Sequence, residues 1–356
     1  MYIKVRVPGS AGEIAQGWRY VWQTMQPYLV TCPVARYTTV EIYDDIIGLN
    51  GVGRKAGIAM ACMLTRFGQR TLPGGCGIRL RSELPRSKGM ASSSADIAAV
   101  AAAVSLACGK EPDVEEIMHI ATAIEPTDGV FWPGIVELNY RTGEIFDQFR
   151  GLPPIPLTVL DFGGSVDTVR FHIENDDDET YPSPDEMRSS LEYIENFMHS
   201  AVLDESVAGA QLSRYLKLMD SPARPRNMTL PRPLMRKLRD MGCMDAAGAP
   251  HPGVDYRAVA VALAATVDGL LHQPRHLIDD FPAFLDTVID IGALGLTIAH
   301  SGTVVGIIWP MESTSGQRAA GVQRLQAAYP QLSLLTDTHI VSGGIEILAN
   351  ERSYLA

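Results

Sequence analysis

The chain has 356 residues, of which 46% are hydrophobic and 20% charged, and its formal net charge is −11. This length exceeds what one hydrophobic core normally supports, so we expect two domains. The composition is typical of a soluble globular protein, and the acidic charge argues against a nucleic-acid-binding protein, which would carry a basic surface. Apolar runs are too short to span a bilayer, and the N-terminus shows no signal-peptide pattern, so we expect a cytoplasmic protein.

In the first half of the chain, short runs of alternating or β-branched residues predict strands, and longer runs with helical spacing predict helices. The predicted strands are Tyr2–Val7, Val30–Val34, Thr38–Tyr43, Ile78–Leu84 and a hairpin of Ile135–Tyr140 with Ile145–Phe146. The predicted helices are Ala56–Phe67, with Ile58 and Cys62 on one side, Ser94–Cys108, and 114–124. The second helix is apolar on nearly every side, so we expect it to be buried.

The linker Gly151–Pro154 divides the chain into predicted domains 1–153 and 154–356. The second domain begins with a predicted strand at Leu157–Phe162. The predicted elements that follow are helices near 185–218, 231–241, 256–272 and 278–291, strands at 294–300 and 303–309, a helix near 315–328 and a strand near 336–342. These patterns alone predict two α+β domains.

The cysteines and the one acidic run in the chain give no sign of a metal centre. The five cysteines are odd in number and lack a CxxC spacing, and those inside helical patterns are expected to be buried thiols. The acidic run Asp176–Glu179 is interpreted as a solvated loop.

The segment from Leu84 to Asp96 is the most informative in the chain, because it joins a predicted strand to the buried helix through small residues. Unpaired N–H groups and the positive end of the helix dipole meet at such a helix start, and this arrangement binds phosphate. A serine hydroxyl there can cap the helix or ligate magnesium. A P-loop sequence is absent, and the glycine-rich run Gly51–Gly57 lacks the strand that precedes a dinucleotide fingerprint. We therefore interpret residues 48–57 as a mobile loop, with contact to a nucleotide as the alternative.

Two further segments accompany this loop: Pro8–Gly17 after the first strand and Ala299–Ile307 near the C-terminus. In chain order, Pro8–Gly17 is the first motif, the serine-rich loop within 84–96 is the second motif and Ala299–Ile307 is the third motif. In order and spacing, the three resemble the signature motifs of the GHMP kinase superfamily. Cys32–Val34, Lys88–Ser93 and Glu125–Asp128 are similar to the L-threonine kinase family of adenosylcobalamin synthesis. The resemblance implies a GHMP kinase fold of the α+β class, in which an N-terminal domain like ribosomal-protein S5 domain 2 precedes a C-terminal ferredoxin-like α/β sandwich, with the active site between them.

The resemblance also implies an activity, namely ATP- and Mg²⁺-dependent phosphorylation of the side-chain hydroxyl of L-threonine. The partners would be ATP and a small molecule, and the protein would be a monomer or homodimer. L-serine, homoserine or a mevalonate-type alcohol are alternative acceptors. A protein from another class, which senses a nucleotide or metabolite without catalysis, is a further alternative.

By this resemblance, the ATP phosphates lie on the loop residues Pro85, Lys88, Gly89, Met90, Ala91, Ser92, Ser93 and Ser94. Ser93 matches a magnesium-ligating serine, and Ser92 and Ser94 are candidate caps. Glu125 either reaches the magnesium or is a surface acid. Asp128 is either the base for the acceptor hydroxyl or a turn residue. Lys88 either adds positive charge at the phosphates or is solvated.

The acceptor-side candidates lie in the first and third motifs, at Ser10, Gly12, Glu13, Gln16, Ser301, Gly302 and Thr303. An amino-acid acceptor needs an anion for its ammonium, which Glu13 supplies unless it bonds to its own loop. Two positions depart from relatives. Ser10 stands where mevalonate kinase has a lysine, and Ala91 replaces a glycine, which restricts the backbone torsion.

Overall fold

The structure is a computed structural model that describes residues 1–164, 184–203, 207, 209–210, 254–272, 277–299 and 302–351. The predicted helix 231–241, the acidic run Asp176–Glu179 and the site candidate Ser301 lie outside the described residues. None of the helices in the described part of the chain is both long and apolar enough to cross a membrane.

The N-terminal domain is built on one long antiparallel hairpin of strands β1 (Tyr2–Val21) and β2 (Thr24–Tyr43). Its two turn residues, Trp22 and Gln23, both have positive φ, which is the geometry of a tight two-residue hairpin turn. The predicted strands in this region are therefore too short. The pairing continues through the first motif, because the strand shifts register between Pro8 and Ala15 and absorbs its glycines and proline as bulges.

The remaining N-terminal elements are β3 (Leu49–Asn50), α1 (Arg54–Arg66), β4 (Gly77–Ser82), α2 (Ser92–Ala107), α3 (Val114–Ile124), β5 (Ile135–Leu138) and β6 (Ile145–Phe149). Strands β4 and β5 both pair antiparallel with β2. Helix α2 packs against this hairpin and against α1, and every residue from Ser94 to Ala107 is buried, as predicted. Its many alanines let the neighbouring elements approach closely.

The orientation of α1 corrects one expectation about buried cysteines. Its buried face consists of Ala56, Ala59, Met63 and Leu64. Ile58 is 42% exposed and Cys62 is exposed as well, so the expectation of a buried thiol is wrong at Cys62. The two alanines allow closer packing on α2 than the bulkier Ile58 side would.

The second half contains β7 (Ile155–Asp161), α4 (Pro184–Ala201), α5 (Tyr256–His272), α6 (Phe281–Asp290), β8 (Gly295–Ile298), β9 (Val304–Ile308), α7 (Ser315–Ala328), β10 (Ser333–Ile340) and β11 (Glu346–Glu351). Helix α4 ends at Ala201 and a turn follows at 202–203, so the predicted helix 185–218 is not continuous there, and most of its remainder lies outside the described residues. Strands β8, β9, β7 and β10 form an antiparallel sheet in that order. Numbered within this half, the order is 2-3-1-4, which is the strand order of the ferredoxin-like sandwich.

The two halves are joined by strand pairing as well as by the chain. Strand β11, which the sequence did not indicate, returns to the N-terminal sheet and pairs antiparallel with β1, from Tyr2 opposite Glu351. Glu13 pairs with Ile298 of β8, and Val34 pairs with Ile340 of β10. The first motif therefore lies where the two sheets meet. The domain limits 1–153 and 154–356 stay a prediction.

Candidate active site

Backbone hydrogen bonds bring the three motifs together at the junction of the sheets. The N–H of Ser10 donates to the carbonyl of Met90 over 3.1 Å, and the N–H of Gly12 donates to the carbonyl of Gly89 over 3.2 Å. From the third motif, the N–H of Thr303 donates to the carbonyl of Lys88 over 3.1 Å. The serine-rich loop is thus held from both sides by the other two motifs.

Glycines allow this close approach. Gly89 has φ of 82°, and a Cβ there would lie 2.6 Å from the Cβ of Ala299 and 2.9 Å from the Cα of Gly302. At Gly12, with φ of 66°, a Cβ would lie 2.4 Å from the carbonyl carbon of Ile298. Any side chain at either position would push the motifs apart.

The loop enters α2 through Ala91, which has left-handed φ and ψ of 52° and 27°. The alanine therefore adopts the conformation that the family's glycine would favour, at a cost in backbone strain. Ser92, Ser93 and Ser94 form the first turn of α2. Among the described residues, no side chain caps that turn, so a capping role for Ser92 or Ser94 is not what the structure shows. The N–H groups of the first turn face the region where phosphates would bind.

Ser93 lies beside Glu125, the residue that ends α3. Its hydroxyl donates a hydrogen bond to one carboxylate oxygen of Glu125, and the ammonium of Lys55 contacts the other. The adjacent hydroxyl and carboxylate are hard oxygen donors of the kind that Mg²⁺ takes alongside phosphates and water. The described residues contain no cluster of three or more His, Cys, Asp or Glu side chains able to hold a metal. This donor set fits magnesium bound mainly through a nucleotide.

Lys55 is a site residue that the sequence analysis missed. The run Gly51–Gly57 was interpreted as a mobile loop, whereas α1 begins at Arg54 and carries Lys55 in its first turn. The only signal in the sequence is a lysine two residues after Gly53, at a helix start, and such a lysine also occurs at many surface positions.

Asp128 is half-buried next to the first turn of α2. The Ser94 hydroxyl lies 3.5 Å from its carboxylate and 3.4 Å from its backbone nitrogen. Burial, together with the negative charge of Glu125, raises the pKa of Asp128 to about 6, although the Ser94 hydroxyl opposes the shift. A carboxylate with a pKa close to the working pH is suited to general-base catalysis.

Asp161, at the end of β7, binds the opposite end of the loop. Its Oδ2 lies 2.7 Å from the ammonium of Lys88, and its Oδ1 accepts hydrogen bonds from the Thr303 hydroxyl and the Gly163 N–H. Burial alone would raise its pKa, but these hydrogen bonds outweigh burial and hold the pKa of Asp161 below its ordinary value. The sequence analysis did not identify Asp161, because it occurs at the end of an ordinary apolar strand.

The remaining acceptor candidates are spread along β1. Ser10 is buried where β1 contacts the loop, and Glu13 is buried where β1 pairs with β8. Gln16 lies further along, where its N–H donates to the Asp268 carboxylate of α5 over 2.9 Å. Gly302 and Thr303 contact the loop directly.

Comparisons with known proteins agree with this geometry. Residues 55–131 match the family model described as GHMP kinases N terminal domain. The chain is 26% identical to the L-threonine kinase of Salmonella typhimurium, over 96% of this chain and 94% of that protein. It is 24% identical to the L-threonine kinase of Citrobacter freundii, over 96% of this chain and 98% of that protein.

Solved structures show the same fold over nearly the whole chain. A mevalonate kinase superimposes with a TM-score of 0.57 at 13% identity, covering 96% of this chain and 99% of the other. A homoserine kinase from Cytophaga hutchinsonii superimposes with a TM-score of 0.54 at 16% identity, covering 98% and 97%. The α+β GHMP kinase fold implied by the motifs is therefore confirmed. The chain therefore resembles the L-threonine kinases over almost its full length, and residues 55–131 resemble the N-terminal domain of GHMP kinases.

Proposed function

We propose that the protein is an ATP-dependent kinase that converts L-threonine to O-phospho-L-threonine, for the aminopropanol arm of cobalamin synthesis. The observation that carries the proposal is the meeting of three motifs around the start of α2, with the Asp128 carboxylate beside it. The L-threonine acceptor is supported by two L-threonine kinases that match this chain along almost its full length.

The phosphates of ATP would lie against the first turn of α2 and the loop that precedes it. Backbone N–H groups of the residues from Gly89 to Ser94 would bind phosphate oxygens, and Lys88 would add one positive charge. Ser93 and Glu125 would hold Mg²⁺. The bound ion would offset the negative charge of the phosphates.

Asp128 would act on the acceptor hydroxyl. With a pKa of about 6, most of the carboxylate is ionised at neutral pH and can accept a proton. The threonine oxygen forms a bond to the γ-phosphorus, the bond from that phosphorus to the β–γ bridging oxygen breaks, and ADP leaves. The hydroxyl proton goes to Asp128. Ser10 supplies no cation, so burial and Glu125, rather than a neighbouring lysine, set the pKa of the base.

Glu13 is the proposed partner of the acceptor ammonium. It is buried at the join of β1 and β8, beside the first-motif residues that contact the phosphate loop. Gly302 and Thr303 would line the third-motif side of the acceptor site. The side formed by β1 would be lined by Ser10, Gly12 and Gln16.

A coupled assay of ADP release tests the proposal. The purified protein is given Mg²⁺ and ATP with L-threonine, L-serine, homoserine or mevalonate, and the product is identified by mass spectrometry. We expect the highest kcat/KM with L-threonine. L-serine should react about 10–200-fold less efficiently, since one methyl group gives only that discrimination. The Asp128→Asn protein, purified in the same way, controls for contaminating kinases.

Two results would contradict the proposal. Absence of threonine-dependent ADP release at saturating ATP would leave a protein that binds a nucleotide or metabolite without this reaction. A higher kcat/KM for homoserine or mevalonate would keep the kinase and change its acceptor.

A further inference from the structure

Asp161 lies outside all three motifs, yet it contacts two of them. Its carboxylate pairs with the ammonium of Lys88, in the second motif, and accepts a hydrogen bond from the hydroxyl of Thr303, in the third motif. The same carboxylate accepts the N–H of Gly163, which fixes the chain just after β7. One side chain therefore joins β7, the phosphate loop and the third motif.

The ammonium of Lys88 is held in a defined place. Its side chain is only 20% exposed and that of Asp161 7%. An ammonium has three N–H donors, of which Asp161 and the carbonyl of Gly164 accept two. Among the described residues no further acceptor takes the third donor, which is therefore available for a phosphate oxygen at the loop that carries Lys88. The solvated alternative for this lysine is therefore wrong.

The contacts of the loop backbone also link Lys88 to Asp161, through Thr303. The carbonyl of Lys88 accepts the N–H of Thr303, whose hydroxyl in turn donates to Asp161. Movement of the Asp161 carboxylate would disturb both ends of this arrangement, the Lys88 ammonium and the third-motif turn that packs against Gly89.

A second aspartate in the same sheet provides a comparison. Asp337 of β10 accepts the Thr158 hydroxyl over 2.8 Å and pairs with Arg318 of α7 at 2.6 Å. Its chemistry thus parallels that of Asp161, with one hydroxyl and one cation. The contacts of Asp337 join β7, β10 and α7, and none of them reaches a motif.

We propose that Asp161 is a positioning residue for nucleotide binding, which holds the Lys88 ammonium and the Thr303 hydroxyl in place at the phosphate loop. The inference rests on the proposed ATP-binding function and adds a residue to it. A purely structural ion pair at this place would contribute to stability alone.

The test is a direct measurement of ATP affinity by titration calorimetry with Mg²⁺ and no acceptor. Asp161→Asn keeps an oxygen for Thr303 and Gly163 and removes the charge that binds Lys88. We expect ATP to bind about tenfold more weakly, with the KM for L-threonine changed by less than about twofold. Lys88→Met should weaken ATP binding to a similar extent. The double variant should bind no more weakly than either single variant, because the two side chains act together.

Asp337→Asn is the matched control, since it breaks an equivalent pair away from the motifs. It should lower the unfolding temperature about as much as Asp161→Asn does and leave ATP affinity unchanged. Should Asp161→Asn fail to fold, Lys88→Met still carries the test, because it alters the loop and keeps the buried carboxylate.

Several outcomes would overturn the inference. These are wild-type ATP affinity in Asp161→Asn or Lys88→Met, equal weakening by Asp337→Asn, or losses that simply multiply in the double variant. A wild-type protein that binds no ATP would overturn the proposed function and this inference together. A wild-type protein that binds ATP in an Asp161-dependent way, but does not phosphorylate L-threonine, would overturn only the acceptor.

Discussion

Asp128 and Asp161 lie at opposite ends of the serine-rich loop, and their surroundings shift their pKa values in opposite directions. Asp128 is near the Ser94 end, where burial and the charge of Glu125 raise its pKa to about 6. Asp161 is at the Lys88 end, where the hydrogen bonds of Lys88, Thr303 and Gly163 overcome burial and lower its pKa.

The difference shows how environment divides two identical side chains between two roles. Burial raises the pKa of both carboxylates. At Asp128 the charge of Glu125 adds to that increase, whereas at Asp161 the hydrogen bonds of Lys88, Thr303 and Gly163 reverse it. A carboxylate that holds its proton until about pH 6 can accept and release one during a reaction. A carboxylate that stays ionised next to a lysine can only hold that lysine.

Asp128→Asn should produce the largest effect in the molecule. The substitution keeps size and hydrogen bonding and removes the proton acceptor, so kcat should fall by about 10²–10⁴-fold. ATP affinity should stay near wild type, which is the reverse of the pattern expected for Asp161→Asn. Steady-state kinetics and calorimetry on the same folded protein separate the two. A kcat within a few-fold of wild type would show that Asp128 is a turn residue. The proposed difference in role between Asp128 and Asp161 would then be wrong.

Local signals in the sequence predicted most helices well. Asp113 caps α3 by accepting the N–H groups of Glu115 and Glu116, and the apolar run after Ser94 forms α2 almost to the residue. Where pairing partners are far apart in sequence, prediction failed. Strand β11 lacks alternation, because its apolar residues Ile347–Ala349 are consecutive, and its partner β1 is at the other end of the chain. The extent of β1 and β2 was underestimated for a different reason, because bulges hide the alternation of apolar and polar residues.

The same distinction holds for the candidate site. Ser93, Glu125 and Asp128 were found because they lie in contiguous motifs, and the structure brings them together around the start of α2. Lys55 and Asp161 were missed because only their contacts with residues on other elements identify them as candidate site residues. Only the fold shows that Lys55 reaches Glu125 and that Asp161 reaches Lys88.

Ser93→Ala should have a smaller effect than Asp128→Asn and a different character. The Ser93 hydroxyl contacts Glu125 and caps no helix, so the fold should persist while one proposed magnesium ligand is lost. We expect the Mg²⁺ concentration for half-maximal turnover to rise about tenfold. Ser105→Ala is the matched control, because Ser105 lies in the same helix and donates to the Ala101 carbonyl. An unchanged magnesium titration in Ser93→Ala would show that this hydroxyl is not a ligand.

The smallest effect is a displacement of the pH profile, and it tests the cause of the Asp128 shift. The base works as the carboxylate, so kcat should decline as the pH falls through about 6, where Asp128 becomes protonated. The negative charge of Glu125 contributes to the raised pKa, so Glu125→Gln should move the decline to lower pH, by less than about one unit.

Loss of a magnesium ligand would lower the height of the pH profile without moving its midpoint. Glu116→Gln changes a glutamate of α3 that pairs with Arg66 of α1, and it should leave the midpoint in place. Asp161→Asn should also keep it, because the lowered pKa of Asp161 leaves that group ionised throughout this range. A midpoint that stays fixed or rises in Glu125→Gln would mean that a group other than Asp128 controls the rate.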